Sequence, residues 1–355
     1  MSTNVMGVGI IGYGGIGSLH HKKWLKSLPQ FDLRGVWDIN LKRLQIAEQE
    51  GIHAYKSEAD LLADKEIELV IIATPNDSHL PIAINAMNAG KNVICEKPVA
   101  MNLGELKEMI ACSKKNNVIF TVDQNRRWDK DFRMVKTAIE NGYLGKVYNI
   151  ESRVYGSRGI PGDWRKYKKY GGGMVLDWGV HLIDQALIIA GNRRLISLYT
   201  TLDYAHGGEC DDGFSVCFKF EGDLTYLCEV RTNNYIQMPR WYVVGKDGTL
   251  VLKDWSCDGE IVRKVKEDAE AKPIAASSGM TKTMAPRAEA TIEHLPIPEV
   301  DVTVADFFLN VKAAIRGEEK QNITAEQLLA TTEIMEAMFR SAKTNSIITE
   351  FEFQK

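Results

Sequence analysis

The stretch Val8-Gly9-Ile10-Ile11-Gly12-Tyr13-Gly14-Gly15-Ile16-Gly17-Ser18 decides the fold. A short apolar run ends in the spacing Gly-x-Gly-x-x-Gly, and residues 18–27 continue as an apparent helix, so strand, turn and helix follow without a break. In such a turn the first glycine allows the tight bend and the second lets backbone approach a pyrophosphate. The third lets helix and strand pack closely, and the phosphates meet the positive end of the helix. Asp38 closes the next apolar run, 21 residues past Gly17, where a carboxylate accepts hydrogen bonds from an adenine-ribose diol. It would repel a 2′-phosphate, and Ile39-Asn40 offer no guanidinium, so NAD is expected rather than NADP. Lys42 and Arg43 are the nearest opposing cations.

Outward from this turn, the first third alternates β-branched apolar runs with amphipathic helical stretches, the pattern of a parallel sheet covered by helices. Residues 8–11, 33–37, 69–73, 92–95 and 118–122 read as strands. Leu69-Val70-Ile71-Ile72-Ala73 shows no polar alternation, as a strand buried on both faces should. Ser57 followed by Asp60 marks a helix start, and Gly90 closes a helix over 80–89. After Asn125 the rhythm changes. A helix over 132–139 ends at Asn141-Gly142, and alternating strands recur at 146–155, 197–204, 214–220, 225–232, 240–244 and 249–252. Helices over 182–190, 304–315 and 325–342 cover an antiparallel sheet, so an α/β domain over residues 1–125 and an α+β domain over 126–355 are expected. Residues 272–298, with four prolines, two serines and a glycine, read as a long loop.

The 355 residues, 45% hydrophobic and 26% charged, give room for about two domains and exclude a disordered or fibrous class. A net charge of −3 leaves no global basic field for nucleic acid or an anionic membrane, so a small-molecule partner is expected. The six cysteines contain no Cys-x-x-Cys pair and are irregularly spaced, which points to neither a zinc site nor a disulfide framework but to a reducing cytoplasm. No metal is expected. No signal peptide is visible, and no stretch reads as the roughly 20 apolar residues of a membrane span.

Thr74-Pro75-Asn76 with His79, then Glu96-Lys97-Pro98, then Gly171-Gly172-Gly173 leading to Asp177-Trp178-Gly179-Val180-His181 follow the dinucleotide turn in that order. Over essentially the whole chain this resembles the glucose-fructose oxidoreductase, inositol dehydrogenase and MocA family. The resemblance implies an N-terminal Rossmann domain and a C-terminal α+β domain with a large, mostly antiparallel open sheet. It further implies nicotinamide-dependent oxidation or reduction of a secondary alcohol on a sugar, cyclitol or related molecule. Carried over residue by residue, the cofactor contacts would be Gly12, Tyr13, Gly14, Gly15, Ile16, Gly17, Asp38, Thr74, Pro75, Asn76, His79, Glu96 and Lys97.

Alcohol oxidation needs a base, a group that steadies the developing alkoxide, and a fixed nicotinamide. His181 is the candidate base, since imidazole can take a proton at neutral pH and return it. Asp177, four residues earlier, shares its face if the stretch is helical. Lys97 follows an apolar strand at the carboxyl edge where open α/β sheets bind ligands. Asn125-Arg126-Arg127 opens the second domain, with Arg127 as a candidate substrate contact. In the Asp163-Trp164-Arg165 loop, Trp164 could cover a sugar ring and Arg165 could pair with a diol. Trp178 reads as core, and His20-His21 as packing or solvent residues.

The favoured activity is oxidation of a secondary hydroxyl of a sugar or glycoside, the C3 position of a hexopyranose among the candidates. The alternatives are a cyclitol dehydrogenase and a non-catalytic NAD-binding regulator. The joint presence of Lys97, Asp177 and His181 argues against the regulator. An open sheet with one bare face predicts a homodimer or homotetramer packed through the second domain.

Overall fold

The computed structural model describes residues 5–267 and 272–354. Five strands, β1 (Met6–Ile11), β2 (Phe31–Trp37), β3 (Leu69–Ile72), β4 (Asn92–Cys95) and β5 (Phe120–Val122), form a parallel sheet in the order β2-β1-β3-β4-β5. The order reverses at β1, so a crevice opens between the carboxyl ends of β1 and β3. Strands β1 and β3 are buried along their whole length, which is why they stood out as uninterrupted apolar runs. Their crossovers include α1 (Lys22–Ser27), α2 (Leu41–Gln49), α3 (Glu58–Ala63), α4 (His79–Asn88) and α5 (Leu103–Asn116). Ser57 Oγ accepts the Asp60 N–H at 3.0 Å and starts α3, as its spacing suggested. Ahead of α1, residues Ile16–His21 form a wider π-type turn.

The second sheet has eight strands. After α6 (Lys130–Glu140) come β6 (Val147–Tyr155), α7 (Val180–Ala190), β7 (Leu195–Asp203), β8 (Gly213–Phe220), β9 (Leu224–Arg231), β10 (Trp241–Gly245), β11 (Gly248–Leu252) and β12 (Gly259–Lys264). A short exposed hairpin, β13 (Ile274–Ala276) and β14 (Gly279–Thr281), stands apart, and β15 (Ile292–Leu295) closes the edge of the order β15-β12-β11-β10-β6-β9-β8-β7. The sheet is not purely antiparallel. Strand β6 runs parallel to β9, because the chain passes through α7 and the β7–β8 hairpin before returning beside it. Residues 272–298 are likewise not all loop: they supply the hairpin and β15, which pairs Ile261 with Leu295.

Two apolar cores result. The second lies under α7 and α9 (Ala325–Thr344), a helix begun by a capping box between Thr324 and Gln327. The first contains the β1–β5 sheet and also takes Phe307, Phe308 and Val311 from α8 (Ala305–Arg316). Although α8 lies inside the 126–355 segment, it packs with the first core. Among the described residues the helical run Lys168–Ala190 is long and apolar enough by composition to cross a membrane, which the sequence pattern had not suggested. Because 67% of its most apolar window is buried, it acts here as a core helix.

Candidate active site

At the end of β1, Gly12 has φ +95°, and a Cβ there would lie 2.6 Å from the Ala73 carbonyl oxygen; one at Gly17 would collide with the Gly12 carbonyl. Gly14 and Gly15 face open space. The turn is tight on its protein side and open outward, as a pyrophosphate cradle requires. Asp38 is fastened beside it: Oδ2 accepts the Tyr13 N–H and Oδ1 the Asn40 N–H, both at 2.7 Å. Its carboxylate keeps lone pairs for a ribose diol, and exposed Ile39 and Leu41 offer apolar surface for a purine. Gly12, Gly14, Gly15, Ile16, Gly17 and Asp38 therefore fit NAD.

Five other expected cofactor contacts, Tyr13, His79, Glu96, Thr74 and Asn76, have side chains engaged within the protein. Tyr13 is fully buried and its hydroxyl donates to Glu50, so only its main chain belongs to the turn. Burial and that bond push the phenol far above its ordinary range. His79 is also fully buried, with Nδ1 3.1 Å from the Pro98 oxygen and Nε2 2.9 Å from the Thr74 oxygen. Burial lowers its pKa, and the neutral ring, with one N–H, can donate to only one of these two carbonyls at a time. Glu96 lies 2.7 Å from His21 Nε2 and accepts the Lys97 N–H at 3.2 Å. Burial opposes its charge, but His21 outweighs burial and holds the carboxyl below its usual range; the same pairing raises His21 against burial. His20 Nε2 stands 3.3 Å from Asp123 without a hydrogen bond between them, so it is His21, through Glu96, that ties the helix after the glycine turn to the end of β4. Thr74 accepts from the Ser78 hydroxyl at 2.8 Å, Pro75 is exposed, and the Asn76 amide donates to the Gly171 carbonyl at 3.0 Å, bridging the cleft.

The structure brings Lys97, Asp177 and His181 together. Lys97 Nζ donates to Asp177 Oδ1 and to the Asp177 carbonyl, each at 3.0 Å, while Arg165 Nε donates to Oδ2 at 3.1 Å. Burial opposes the Asp177 charge, but the two cations hold its carboxyl below the ordinary range. Asp177 sits in a second π-type turn, Val175–Gly179, that runs into α7 and so points it to the same side as His181. Such turns recur at functional sites, and here they open both helices that border the cleft. His181 is 3% exposed, and neither ring nitrogen has a hydrogen-bond partner among the described residues. Burial first, then the charges of Lys97 and Arg126, depress its pKa well below 6.5. The imidazole is therefore neutral and free to accept a proton at neutral pH.

Beside this cluster a cavity of about 400 Å³ is lined by Arg126, Tyr155, Trp178, Arg231, Thr232 and Trp255. The Arg126 guanidinium lies 4.1 Å from the Trp178 ring centre and 5.6 Å from that of Trp255. Among the described residues its guanidinium makes one hydrogen bond, at 2.8 Å to Asp129, which leaves the remaining N–H groups unspent. Arg127, the residue singled out from the sequence, is buried instead. Its Nε and Nη2 grip Asp184 at 2.7 and 2.6 Å, and Nη1 reaches Asn322 and Gln327, so four of its five donors are consumed. Trp178 packs against the second core, as expected, and also lines the cavity, and Trp255 comes from the β11–β12 turn, where nothing in the sequence marked it. Trp164 is covered by its neighbour, the Arg165 guanidinium 4.6 Å above its ring.

The profile of the oxidoreductase family with an NAD-binding Rossmann fold matches residues 6–124, and that of the Gfo/Idh/MocA C-terminal domain matches residues 132–251. The chain belongs to this family of NAD-binding oxidoreductases. An NAD-binding protein from Listeria innocua has the same structure at a TM-score of 0.94, with 40% identity over 98% of this chain and 99% of that one. An uncharacterized oxidoreductase of Schizosaccharomyces pombe is 38% identical over 56% of this chain and 53% of its own. The myo-inositol 2-dehydrogenase of Thermotoga maritima is 34% identical over 53% of this chain and 56% of its own. The matched region thus spans about half the length of these two curated relatives.

Proposed function

We propose that this protein oxidises a secondary hydroxyl of a sugar or glycoside with NAD, C3 of a hexopyranose being among the candidate positions. The observation that carries this reading is a buried, neutral, unpartnered imidazole beside an ordered Lys97–Asp177–Arg165 cluster. NAD, when bound, supplies the hydride acceptor. His181 takes the hydroxyl proton and returns it in the reverse direction. Lys97 steadies the developing alkoxide, and Asp177, fixed on both oxygens, orients the hydroxyl. Trp178 and Trp255 offer faces for the C–H surface of a ring, and the unspent donors of Arg126 suit its hydroxyls. The inositol dehydrogenase among the relatives favours a cyclitol as the second reading.

The test is a panel of glucose, methyl glucosides and myo-inositol assayed by NADH formation, with His181→Ala alongside wild type. The variant should lose about 10² to 10⁴ in kcat while NAD binding is unchanged. Near-normal turnover by the variant, with an unchanged pH profile, would assign proton transfer to another group. The reading includes self-association: Tyr148, Ile196 and Tyr199 are exposed on the second sheet, and light scattering should give a dimer or tetramer rather than a 39.8 kDa monomer.

A further inference from the structure

The turn that carries Asp177 is held at its origin by a residue from elsewhere in the chain. A helical segment leaves its first N–H groups without internal partners. Asp211, just before β8, meets two of them: its carbonyl oxygen accepts the Met174 N–H at 3.1 Å and its Oδ2 accepts the Val175 N–H at 2.8 Å. Asp211 is 3% exposed, its carboxylate is met by backbone N–H donors alone, those of Val175, Met174 and its own residue, and among the described residues it makes no ion pair. Gly173 has φ +105°, and a Cβ on it would collide with Asp211 Oδ1, so the last glycine of the triplet is what admits the carboxylate. The Asp177 N–H in turn bonds the Gly173 carbonyl at 3.0 Å, which links the anchored turn directly to the reacting side chain.

We propose that Asp211 is a positioning residue for the reaction centre, clamping the Met174–Val175 backbone from which the Asp177 and His181 side chains are aimed. This rests on the assignment of Asp177 and His181 as the reacting pair. A neutral side chain could cap a turn; a buried carboxylate does so with a grip that depends on its charge. Burial, the largest influence, pushes Asp211 up to about 7, with the backbone donors pulling down and Asp212 pushing up. Tyr204 and Cys210 also face it, Lys168 and Glu209 lie beyond at Cys210, and the helix side presents only backbone N–H groups. Asp212 is itself satisfied by the Ala205 and His206 N–H groups. Ionisation of Asp211 strengthens its hydrogen bonds and its attraction to a helix N-terminus. The centre is therefore held more firmly above neutrality than below it, in a range distinct from the His181 ionisation, which lies well below 6.5.

The experiment compares Asp211→Ala, Asp211→Asn and His181→Ala, using whichever of glucose, methyl glucoside and myo-inositol supports NADH formation. Asp211→Ala should lower kcat about tenfold or more, with NAD affinity within twofold of wild type. Asp211→Asn, which keeps an acceptor oxygen, should recover most of kcat but lose the wild-type inflection near pH 7. Should Asp211→Ala fail to fold, the pH profile of Asp211→Asn decides alone. The proposal is overturned if alanine leaves kcat unchanged or if the inflection persists in the asparagine variant. Normal turnover by His181→Ala would instead overturn the reading of the centre itself.

Discussion

Replacing Lys97 with methionine keeps much of the side chain's length while removing the ammonium group that Asp177 faces at 3.0 Å. A full charge pair at about 3 Å and an effective dielectric of about 20 is worth roughly 5 kcal/mol. Asp177 already offsets part of the Lys97 charge, so we expect about half to reach the developing alkoxide. That is about 2.7 kcal/mol, or a kcat roughly 10² lower. Asp177 keeps Arg165 and stays ionised, whereas His181 loses one of the two cations that depress it. Its pKa should rise toward 6.5 without reaching it, because burial remains the larger cause. Steady-state kinetics from pH 5 to about 9 would show both effects: a lower plateau, and an acid limb of kcat/KM displaced upward in pH. A plateau within threefold of wild type with an unmoved limb would refute the role of Lys97 in the chemistry, and a loss confined to melting temperature would make it structural.

Asp38 should favour NAD over NADP by about tenfold or more in kcat/KM, and Asp38→Ala should narrow the ratio; equal efficiency with both cofactors in wild type removes Asp38 from that role. Arg127→Ala strands Asp184 in the interior and should cost about 3 to 5 kcal/mol in urea unfolding, a value under about 1 kcal/mol being incompatible with the bidentate pair. Because folding raises the His21 pKa, its contribution to stability is complete below 6.5 and is lost as pH climbs through the raised value. His21→Leu should therefore flatten the alkaline side of the stability profile, and an unaltered decline would mean that the His21–Glu96 contact carries none of it.

The first sheet was readable to within a few residues because strands buried on both faces leave uninterrupted apolar runs such as Leu69 to Ile72. Strands β12 and β15 were not, since they lie toward one edge and carry Glu260, Arg263, Lys264, Glu293 and His294, charges that edge strands tolerate and that mask alternation. At the site, Lys97, Asp177 and His181 were legible from local spacing. The division of labour between Arg126 and Arg127 was not: neighbours in sequence, they separate because Asp184, 57 residues away, captures one of them. Tyr13, His79 and Glu96 were assigned to the cofactor for the same reason. Each lies in a motif that touches the cleft, and only distant partners, Glu50, Pro98 and His21, reveal where the side chain goes.

Helix α8 makes the dinucleotide-binding half discontinuous. Phe308 packs edge-on against His21 and Phe31, with ring centres 6.1 and 6.3 Å away, and Phe307 meets Trp128 at 5.6 Å. A fragment cut near residue 125 would carry the glycine turn but leave an apolar seat open to water, so it should self-associate or bind a peptide spanning residues 305–316 supplied in trans. The chain leaves the first core after β5 and re-enters it at α8, so a nick in the exposed β13–β14 hairpin severs the covalent path while α8 stays clasped by packing alone. Fragment complementation across that nick thus becomes a way to exchange the returning piece that carries β15, α8 and α9 on a common body that keeps the first sheet and most of the second.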